Sequence, residues 1–330
     1  RVVRTERKAH RQKVRNFVPG YTFEAFKPGL KSHLAITKGC NNFCSFCIVP
    51  ITRGLEVSRE ASNILDEAKR LVDSGTKEIC LLGQNVNSYK ANGVSFVKLL
   101  EELDQISGLE RVRFTSPHPK DFHEELADAI RDLRTVCEQM HLPLQSGSNT
   151  ILRSMRRWYT REQFLEKVAM LRCRVPEAAL STDLIVGFPG ETAADFEDTL
   201  EMVREVEFDL MYTFKYSPRP GTPAAQYDNQ LPDDVRRERL RILLEVQEKI
   251  LHTKQAALVG SEQEVLIEGR HPREPGCWMG RTRGNYAVAV AAKTACAGEL
   301  LPVRITRPRP HLLFAQQPQP QPSALAPHCL

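Results

Sequence analysis

Three cysteines fall within eight residues, in the segment GCNNFCSFC, as Cys40, Cys44 and Cys47. This spacing lets one loop fold around a metal centre, because thiolates are strong ligands for iron and zinc. Three thiolates suit a cubane 4Fe-4S cluster, which they would leave with one iron open to another molecule. A zinc site and unrelated free thiols are the alternatives, but structural zinc prefers four protein ligands and only His33 lies nearby in sequence. The spacing therefore favours the cluster.

The other six cysteines share no repeated spacing, which argues against a disulfide framework and for a metal site in a reducing compartment. They are Cys80, Cys137, Cys173, Cys277, Cys296 and Cys329.

Elements that could position the cysteine loop follow from the hydrophobic pattern. Six apolar, β-branched runs alternate with amphipathic helical stretches, which is typical of a parallel sheet built by βαβ crossovers. Six units are two short of a closed eight-stranded barrel, so we predict an α/β fold with a partial (βα)6 barrel. The runs are HLAIT from His33, EICLLGQN from Glu78, RVRFTSP from Arg111, QMHLPLQS from Gln139, ALSTDLIVGFPG from Ala179 and LMYTFKYS from Leu210.

The helices between these runs carry their own signals. A helix is predicted from Ser58 to Gly75, a second begins with Thr192 as N-cap and Asp195 three residues later, and a last one begins at Pro232. After Gly260 the pattern changes to short alternating runs separated by Gly, Pro and Asn, which predicts a small antiparallel β unit.

Polar residues follow several strands at the carboxyl edge of the sheet, where active sites assemble in this architecture. Gln84 and Asn85 follow the second strand, and Gln145, Ser146 and Gly147 follow the fourth. Their amides and hydroxyl suit ligand binding, although a strand-end cap is an equal explanation for Gln84 and Asn85.

Three further segments offer candidate residues. Arg53 follows the cysteines and could bind a substrate phosphate or lie in a solvated turn. His118 lies between two prolines, where a lone histidine is usually structural. Gly187 and Glu191 flank the turn after the fifth strand, where glycine permits a close approach of the backbone.

The cysteine motif, with Phe46 just before its last cysteine, is similar to the signature of radical S-adenosylmethionine (SAM) enzymes. Neighbouring segments resemble the tRNA methylthiotransferases of the MiaB type, from about Leu34 to Arg309. These segments are GCNNFCSFCIVPITRG, LLGQNVNSY, RFTSPHP, HLPLQSGS, STDLIVGFPGET and YSPRPGTPA.

The resemblance implies a set of cofactors and their ligands. In that family the open iron is chelated by the amino and carboxylate groups of SAM, and one electron from the cluster cleaves SAM to a deoxyadenosyl radical. An electron donor such as flavodoxin or ferredoxin is then expected, and no catalytic side chain is assigned. The residues expected to bind SAM are Phe46, Gln84, Asn85, Gln145, Gly187 and Glu191.

The resemblance also implies a transferase reaction. Its product carries a methylthio group at carbon 2 of N6-isopentenyladenosine beside the tRNA anticodon, at the expense of two SAM molecules. The alternatives are a methylthiotransferase that acts on threonylcarbamoyladenosine, and a truncated, non-catalytic iron-sulfur protein that binds RNA.

The carboxyl-terminal unit resembles the TRAM module, a small β-barrel that binds tRNA in this family. The unit's own arginines and aromatic rings support that interpretation, because arginines can bind phosphates and rings can stack on unpaired bases. A solvated basic face is the alternative. Candidate substrate-binding residues are Arg53 and, in this unit, Arg281 and Arg283. The unit's interleaved cations and rings are Arg270, Arg273, Arg281, Arg283, Arg304, Trp278 and Tyr286.

Four regions are expected along the chain: a basic arm or remnant linker at 1–30, a radical-SAM domain at 31–255, a TRAM-like domain at 256–316 and a disordered Pro/Gln-rich tail at 317–330. Family members carry a further amino-terminal domain, whose three cysteines bind a second 4Fe-4S cluster. No cysteine precedes Cys40 here. Full methylthiolation is therefore expected only with that domain, and SAM cleavage without it.

Composition limits the remaining possibilities. The 330 residues allow two domains, and no apolar run approaches the ~20 residues of a membrane helix. The formal net charge of +5 permits a polyanionic partner. Positive charge is concentrated in residues 1–30, which carry eight basic and two acidic side chains. We expect a monomer in the cytoplasm, with the mitochondrion as the alternative compartment.

Overall fold

The computed structural model describes residues 29–292 and 294–318. These residues form two compact units, divided between Leu251 and His252. The expected basic arm and Pro/Gln-rich tail lie outside the described residues, apart from their inner ends.

Ten strands belong to the described part of the first unit. They are β1 (Lys31–Ala35), β2 (Thr37–Lys38), β3 (Val57–Ser58), β4 (Glu78–Leu82), β5 (Lys90–Ala91), β6 (Val94–Ser95), β7 (Arg111–Phe114), β8 (Gln139–His141), β9 (Ala179–Val186) and β10 (Leu210–Lys215).

In the described residues, eight α-helices follow or separate these strands. They are α1 (Val49–Thr52), α2 (Ala61–Asp73), α3 (Phe96–Asp104), α4 (Glu124–Asp132), α5 (Asn149–Ser154), α6 (Arg161–Arg174), α7 (Ala193–Val206) and α8 (Asp233–Ala257).

All six predicted strand runs form parallel strands of an open barrel, which confirms the predicted α/β class. β1, β4 and β7 form one three-stranded sheet, and β8, β9 and β10 form another. A parallel bridge between Val112 and Val136 joins the two sheets. Within the described strands, β1 and β10 do not pair, so the barrel stays open between them.

The helices cover one face of these sheets, and successive side chains of each strand point alternately toward the helices and toward the barrel interior. In β9, Leu180, Leu184 and Val186 enter the core shared with the helices. Asp183 and Ile185 lie on the opposite face and are only partly buried. The interior face of β9 therefore carries the polar Asp183 beside the apolar Ile185.

One row of that interior face is a chain of charged contacts. Glu78 on β4 pairs with Lys31 on β1 at 3.5 Å and with Arg113 on β7 at 3.1 Å. Arg113 also donates to Gln139 on β8 at 2.8 Å. Burial alone would raise the pKa of Glu78, but Arg113 and Lys31 outweigh it and hold the pKa below its ordinary value.

Helix boundaries agree with the sequence signals with one difference. Thr192 and Asp195 form a reciprocal capping box at the start of α7, as predicted. α8 begins at Asp233, next to the predicted Pro232. α2 begins at Ala61 rather than Ser58, because Ser58 pairs with Thr37 in the short β2–β3 ladder.

The second unit contains β11 (Glu262–Arg270), β12 (Cys277–Thr282), β13 (Ala287–Ala291), β14 (Leu300–Arg309) and β15 (Leu312–Gln316). They close a five-stranded barrel in the order β11-β12-β13-β15-β14. The predicted all-β unit is therefore confirmed, although β13 and β15 pair in parallel where the sequence predicted antiparallel strands. Closure leaves no unpaired edge strand among these five. No helix in the described part of the chain has the length and apolar character to cross a membrane.

Candidate metal centre

The three cysteines lie on one loop that follows the first strand of the barrel, between β2 and α1. Cys40 and Cys44 are 8% exposed, and Cys47 is partly buried. The Cys40 amide donates to the Gly54 carbonyl at 3.2 Å, and the Cys47 amide donates to the Cys44 carbonyl at 3.1 Å. The loop therefore folds back on itself and holds its thiols at the carboxyl edge of the sheet.

The three sulfurs are close enough to influence one another's ionisation. Burial raises the pKa of Cys40 to about 11, and the Cys44 and Cys47 thiols add to the rise. Burial and Cys44 also raise the pKa of Cys47. A bound metal cation would offset these costs and let the thiols ionise together, so the donor set fits a metal centre.

The arrangement is not that of one ion held by several side chains. Among the described residues, no three His, Cys, Asp or Glu side chains meet around the position of a single metal ion. A cubane spreads its thiolate ligands over different irons, so the cluster does not call for single-ion geometry.

A glycine and a glutamine support the start of the loop. Gly39 has a φ of +79°, and a Cβ there would lie 2.1 Å from the Leu55 carbonyl oxygen and 2.6 Å from that of Gly54. The Gly39 amide donates to Oε1 of Gln84 at 2.6 Å. Gln84, predicted to bind cofactor, is thus used to support the cysteine loop.

Asn85 differs from its neighbour Gln84. It is 1% exposed, and its Nδ2 donates to Oδ2 of Asp121 at 2.8 Å. Its Oδ1 has no hydrogen-bond partner in the described structure. A buried acceptor without a donor is costly, so Asn85 is suited to accept a hydrogen bond from a ligand.

A segment that the sequence analysis overlooked packs against the cysteine loop. Ser45 donates its amide to the Met155 carbonyl at 3.0 Å and its hydroxyl to the Ser154 carbonyl at 2.7 Å. Arg157 is 5% exposed, and its Nη1 donates to Sγ of Cys44 at 3.5 Å. No residue spacing marks Arg157, because it reaches Cys44 only through the tertiary fold.

His118 lies beside this segment and is neutral. Burial lowers its pKa to about 2, and the nearby Arg157 and Lys120 cations add to the shift. Nδ1 accepts from the Lys120 amide at 3.2 Å, and the His118 ring meets Tyr159 edge-on at 5.8 Å. A buried neutral imidazole agrees with the structural role that the sequence favoured.

The polar residues after β8 mainly connect the end of that strand to α7. The Gly147 amide donates to Oγ1 of Thr199 at 2.9 Å, and a Cβ on Gly147 would lie 2.5 Å from the Asp198 carbonyl oxygen. Gln145 adopts a left-handed φ of +72° and bridges to Leu184. These contacts position the strand end and leave the predicted role of Gln145 in binding SAM a prediction.

The turn after β9 is closed by Glu191. Its Oε2 accepts from the Gly187 amide at 2.9 Å and from the Phe188 amide at 3.3 Å, and its Oε1 accepts from Arg239 at 2.5 Å. Burial raises the pKa of Glu191 although Arg239 opposes the shift. A Cβ on Gly187 would meet Arg236 at 2.3 Å. Both residues shape this turn, and their contacts are those of a loop anchor.

Phe46 lies at a cleft of about 480 Å³ beside the end of β10. Apolar walls with few polar groups are typical of small-molecule sites. The cleft is lined by Phe46, Ile185, Thr213, Phe214, Lys215, Tyr216, Ser217, Arg219 and Leu240.

The predicted RNA-binding arginines belong to different units of the chain. Arg53 is exposed at the end of α1. Arg281 and Arg283 belong to the β-barrel unit and are partly buried, and Nη1 of Arg281 donates to the Asn285 carbonyl at 3.0 Å.

The predicted role of Trp278 as a stacking ring is wrong. Trp278 is 8% exposed and belongs to the barrel core, with Arg270 over its ring at 4.5 Å. At this position of β12 the side chain points into the barrel interior, so its ring cannot stack on a base. Arg307 and Arg309, which the sequence analysis did not single out, lie exposed over Phe314 at 4.0 and 4.9 Å.

Relatives of known activity share most of this chain. The tRNA-2-methylthio-N(6)-dimethylallyladenosine synthase of Moorella thermoacetica is 51% identical over 288 residues, which cover 86% of this chain and 65% of the relative. The chain thus spans just under two thirds of the length of this curated relative.

Two solved structures share the fold at low sequence identity. TsrM from Kitasatospora setae, a radical SAM methyltransferase solved with cobalamin and a 4Fe-4S cluster bound, aligns with a TM-score of 0.52 at 19% identity, over 60% of this chain and 39% of that chain. The radical SAM coproporphyrinogen III oxidase of Escherichia coli aligns with a TM-score of 0.51 at 15% identity, over 84% and 65%.

Two family profiles divide the chain between them. The TRAM domain profile matches residues 256–317, which include the five-stranded barrel. The Radical SAM superfamily profile matches residues 34–203, which carry the cysteine loop and the first five strands of the open barrel. Because that match covers more than half of the residues, the chain belongs to the Radical SAM superfamily.

Proposed function

We propose that this chain is the catalytic and RNA-binding part of a transferase that adds a methylthio group to carbon 2 of N6-dimethylallyladenosine, the isopentenyladenosine beside the tRNA anticodon. The observation that carries the proposal is the 51% identity with a synthase of that name. That identity extends over 86% of the chain, and the cysteine loop lies in the matching radical-SAM region.

Cys40, Cys44 and Cys47 would hold a 4Fe-4S cluster, and the open iron would be available to SAM. When bound, the two cofactors supply one-electron cleavage of SAM. Asn85 suits the amino group of SAM, because its Oδ1 is a buried acceptor without a donor. Phe46 and the cleft beside it suit the adenine ring.

Gln84, Gln145, Gly187 and Glu191 complete the proposed SAM site. Gln84 keeps the cysteine loop in position, and the other three shape the strand ends around it. Their effect on SAM is therefore to position the backbone that surrounds it.

The interior face of β9 and β10 offers a place for the adenine base of the substrate. Tyr212 on β10 lies opposite Asp183 on β9 in register, and its side chain is 48% exposed. Aromatic faces stack on extruded bases, and the Asp183 carboxylate is suited to accept an N–H of the base.

The β-barrel unit is proposed to bind the tRNA backbone through its exposed and partly buried arginines. Arg281, Arg283, Arg307 and Arg309 would contact phosphates there, and Arg53 would do so beside the metal centre. The remaining proposals are the division into a radical-SAM domain at 31–255 and a TRAM-like domain at 256–316, a monomeric state, a flavodoxin or ferredoxin as electron donor, and a location in the cytoplasm.

Anaerobic reconstitution with iron and sulfide tests the metal centre. We expect a reduced-state EPR signal of a 4Fe-4S cluster, its loss in C40A/C44A/C47A and its retention in C173A/C296A. The control pair removes two exposed cysteines that lie outside the loop. Zinc or no metal in the wild-type loop would overturn the proposal.

Substrate choice is tested on the loaded protein with SAM and a chemical reductant. We expect deoxyadenosine formation to be stimulated by tRNA that carries N6-dimethylallyladenosine, and not by tRNA with unmodified adenosine or threonylcarbamoyladenosine at that position. Equal stimulation by all three tRNAs would contradict the proposed substrate.

A further inference from the structure

Arg157 holds its guanidinium against a cysteine sulfur deep inside the first unit. Nη1 donates to Sγ of Cys44 at 3.5 Å, Nη2 donates to the Pro143 carbonyl at 2.9 Å, and Nε donates to the Tyr159 hydroxyl oxygen at 3.0 Å. Each guanidinium nitrogen has a partner, so the position of the cation is fixed.

The surroundings of Arg157 reinforce this position. The Tyr159 ring lies 5.3 Å from the guanidinium carbon, and the Tyr159 hydroxyl bonds to the Pro143 and Leu144 carbonyls at 2.9 and 2.8 Å. These contacts tie the arginine to the chain that follows β8.

The backbone on both sides of Arg157 is strained. Arg156 and Trp158 have φ values of +58° and +61°, a left-handed conformation that is unfavourable for a non-glycine residue. Such strain persists only where the surrounding structure imposes it. Here it turns Arg157 inward between two exposed neighbours, Arg156 and the 69% exposed Trp158.

A buried cation needs an anionic partner, because removing a charge from water is expensive. Its hydrogen-bond partners among the described residues are a carbonyl oxygen, a phenol and the Cys44 sulfur, and none of them is a carboxylate. The sulfur is the partner that becomes negative when it binds iron, since the thiolate is the ligand form.

We propose that Arg157 is a positioning residue that acts through Cys44 to raise the reduction potential of the bound 4Fe-4S cluster. The reduced cluster carries one more negative charge than the oxidised one, so a fixed adjacent cation stabilises the reduced form more. Hydrogen bonds to the sulfurs and local charge are known to set cluster potentials. This inference rests on the proposed function, because it needs the cluster to be present.

A redox titration followed by EPR of the reduced cluster tests this proposal on the full, anaerobically reconstituted chain. We expect R157M to lower the equilibrium constant for cluster reduction at least tenfold, which is a shift of 59 mV for one electron. R157K retains the charge but loses the planar guanidinium that donates to several partners at once. Its potential should therefore lie between those of R157M and wild type.

The matched control is R156M, which removes the exposed arginine next to Arg157 in sequence. Its potential and iron content should equal those of wild type. A fully loaded R157M with an unchanged potential would overturn the proposal. Loss of iron from both R157M and R157K, with R156M loaded normally, would make Arg157 a folding residue and would also overturn it. A wild-type chain without a cluster would instead contradict the proposed function.

Discussion

The parallel-sheet unit and the β-barrel unit differ in how closely their polar groups are surrounded. In the first unit, Arg157 is 5% exposed and bound at every guanidinium nitrogen. In the second unit, Arg307 and Arg309 lie over Phe314 but stay exposed. Buried cations act on groups inside the protein, whereas exposed ones remain available to phosphates. Three comparisons test this difference. Each sets a variant of the first unit against a variant of the second unit.

Gly39 and Gly276 share a φ of +79° but not their surroundings. We expect G39A to lower the free energy of unfolding of the first unit by about 4 kcal/mol, because backbone strain adds to a clash with the Gly54 and Leu55 carbonyls. At Gly276 a Cβ meets nothing within 4 Å, so G276A should cost only about 1 kcal/mol.

Urea denaturation of both glycine variants measures these costs, and iron content after reconstitution adds a second readout for the cysteine loop. Equal costs for the two variants would show that crowding around Gly39 does not matter.

Glu78 and Glu268 compare a buried with a half-exposed ion pair. We expect E78Q to lower the free energy of unfolding at neutral pH by about 3 kcal/mol, since it leaves the buried Arg113 without its carboxylate. E268Q removes the partner of Arg281 at 3.5 Å, where side chains are 33% and 40% exposed, and should cost less than about 0.5 kcal/mol.

The pH dependence of the E78Q effect follows from the lowered pKa of Glu78. A carboxyl whose pKa is lower in the folded state stabilises the fold above its unfolded pKa, about 4.3, and loses that effect as the pH falls through the folded value. The difference between wild type and E78Q should therefore be constant near neutral pH and shrink below about pH 4. A difference that grows on acidification would contradict the ion-pair explanation.

The exposed arginines of the barrel should influence RNA binding rather than folding. We expect R307Q/R309Q to weaken tRNA binding roughly tenfold and to reduce the slope of log affinity against log salt by about 2, because two phosphate contacts are lost. R131Q, which removes an exposed arginine from α4 in the first unit, is the control and should leave the slope unchanged. An unchanged slope in the double variant would exclude this face as a phosphate-binding surface.

Local patterns in the sequence predicted much of the architecture. The six strand runs, the Thr192 capping box and the switch to an all-β unit after Gly260 are all present. Each depends on hydrophobic period or on residues a few positions apart, which the sequence displays directly.

Contacts between distant segments could not be predicted in this way. Gln84 supports Gly39 across 45 residues, and Arg157 reaches Cys44 across 113. Trp278 looked like a stacking ring beside basic residues, but its strand register turns it into the core. The roles of Phe46, Asn85 and Gln145 in SAM binding stay predictions.

The amino-acid sequence by itself determined which chemistry is available, since three thiols at short spacing define a possible ligand set before any folding is considered. The tertiary structure alone decided what surrounds those thiols, because burial, charge and hydrogen-bond donors are supplied by segments that meet only when the barrel forms. Cys44 thus carries its role in its spacing, whereas Arg157 acquires one from its position.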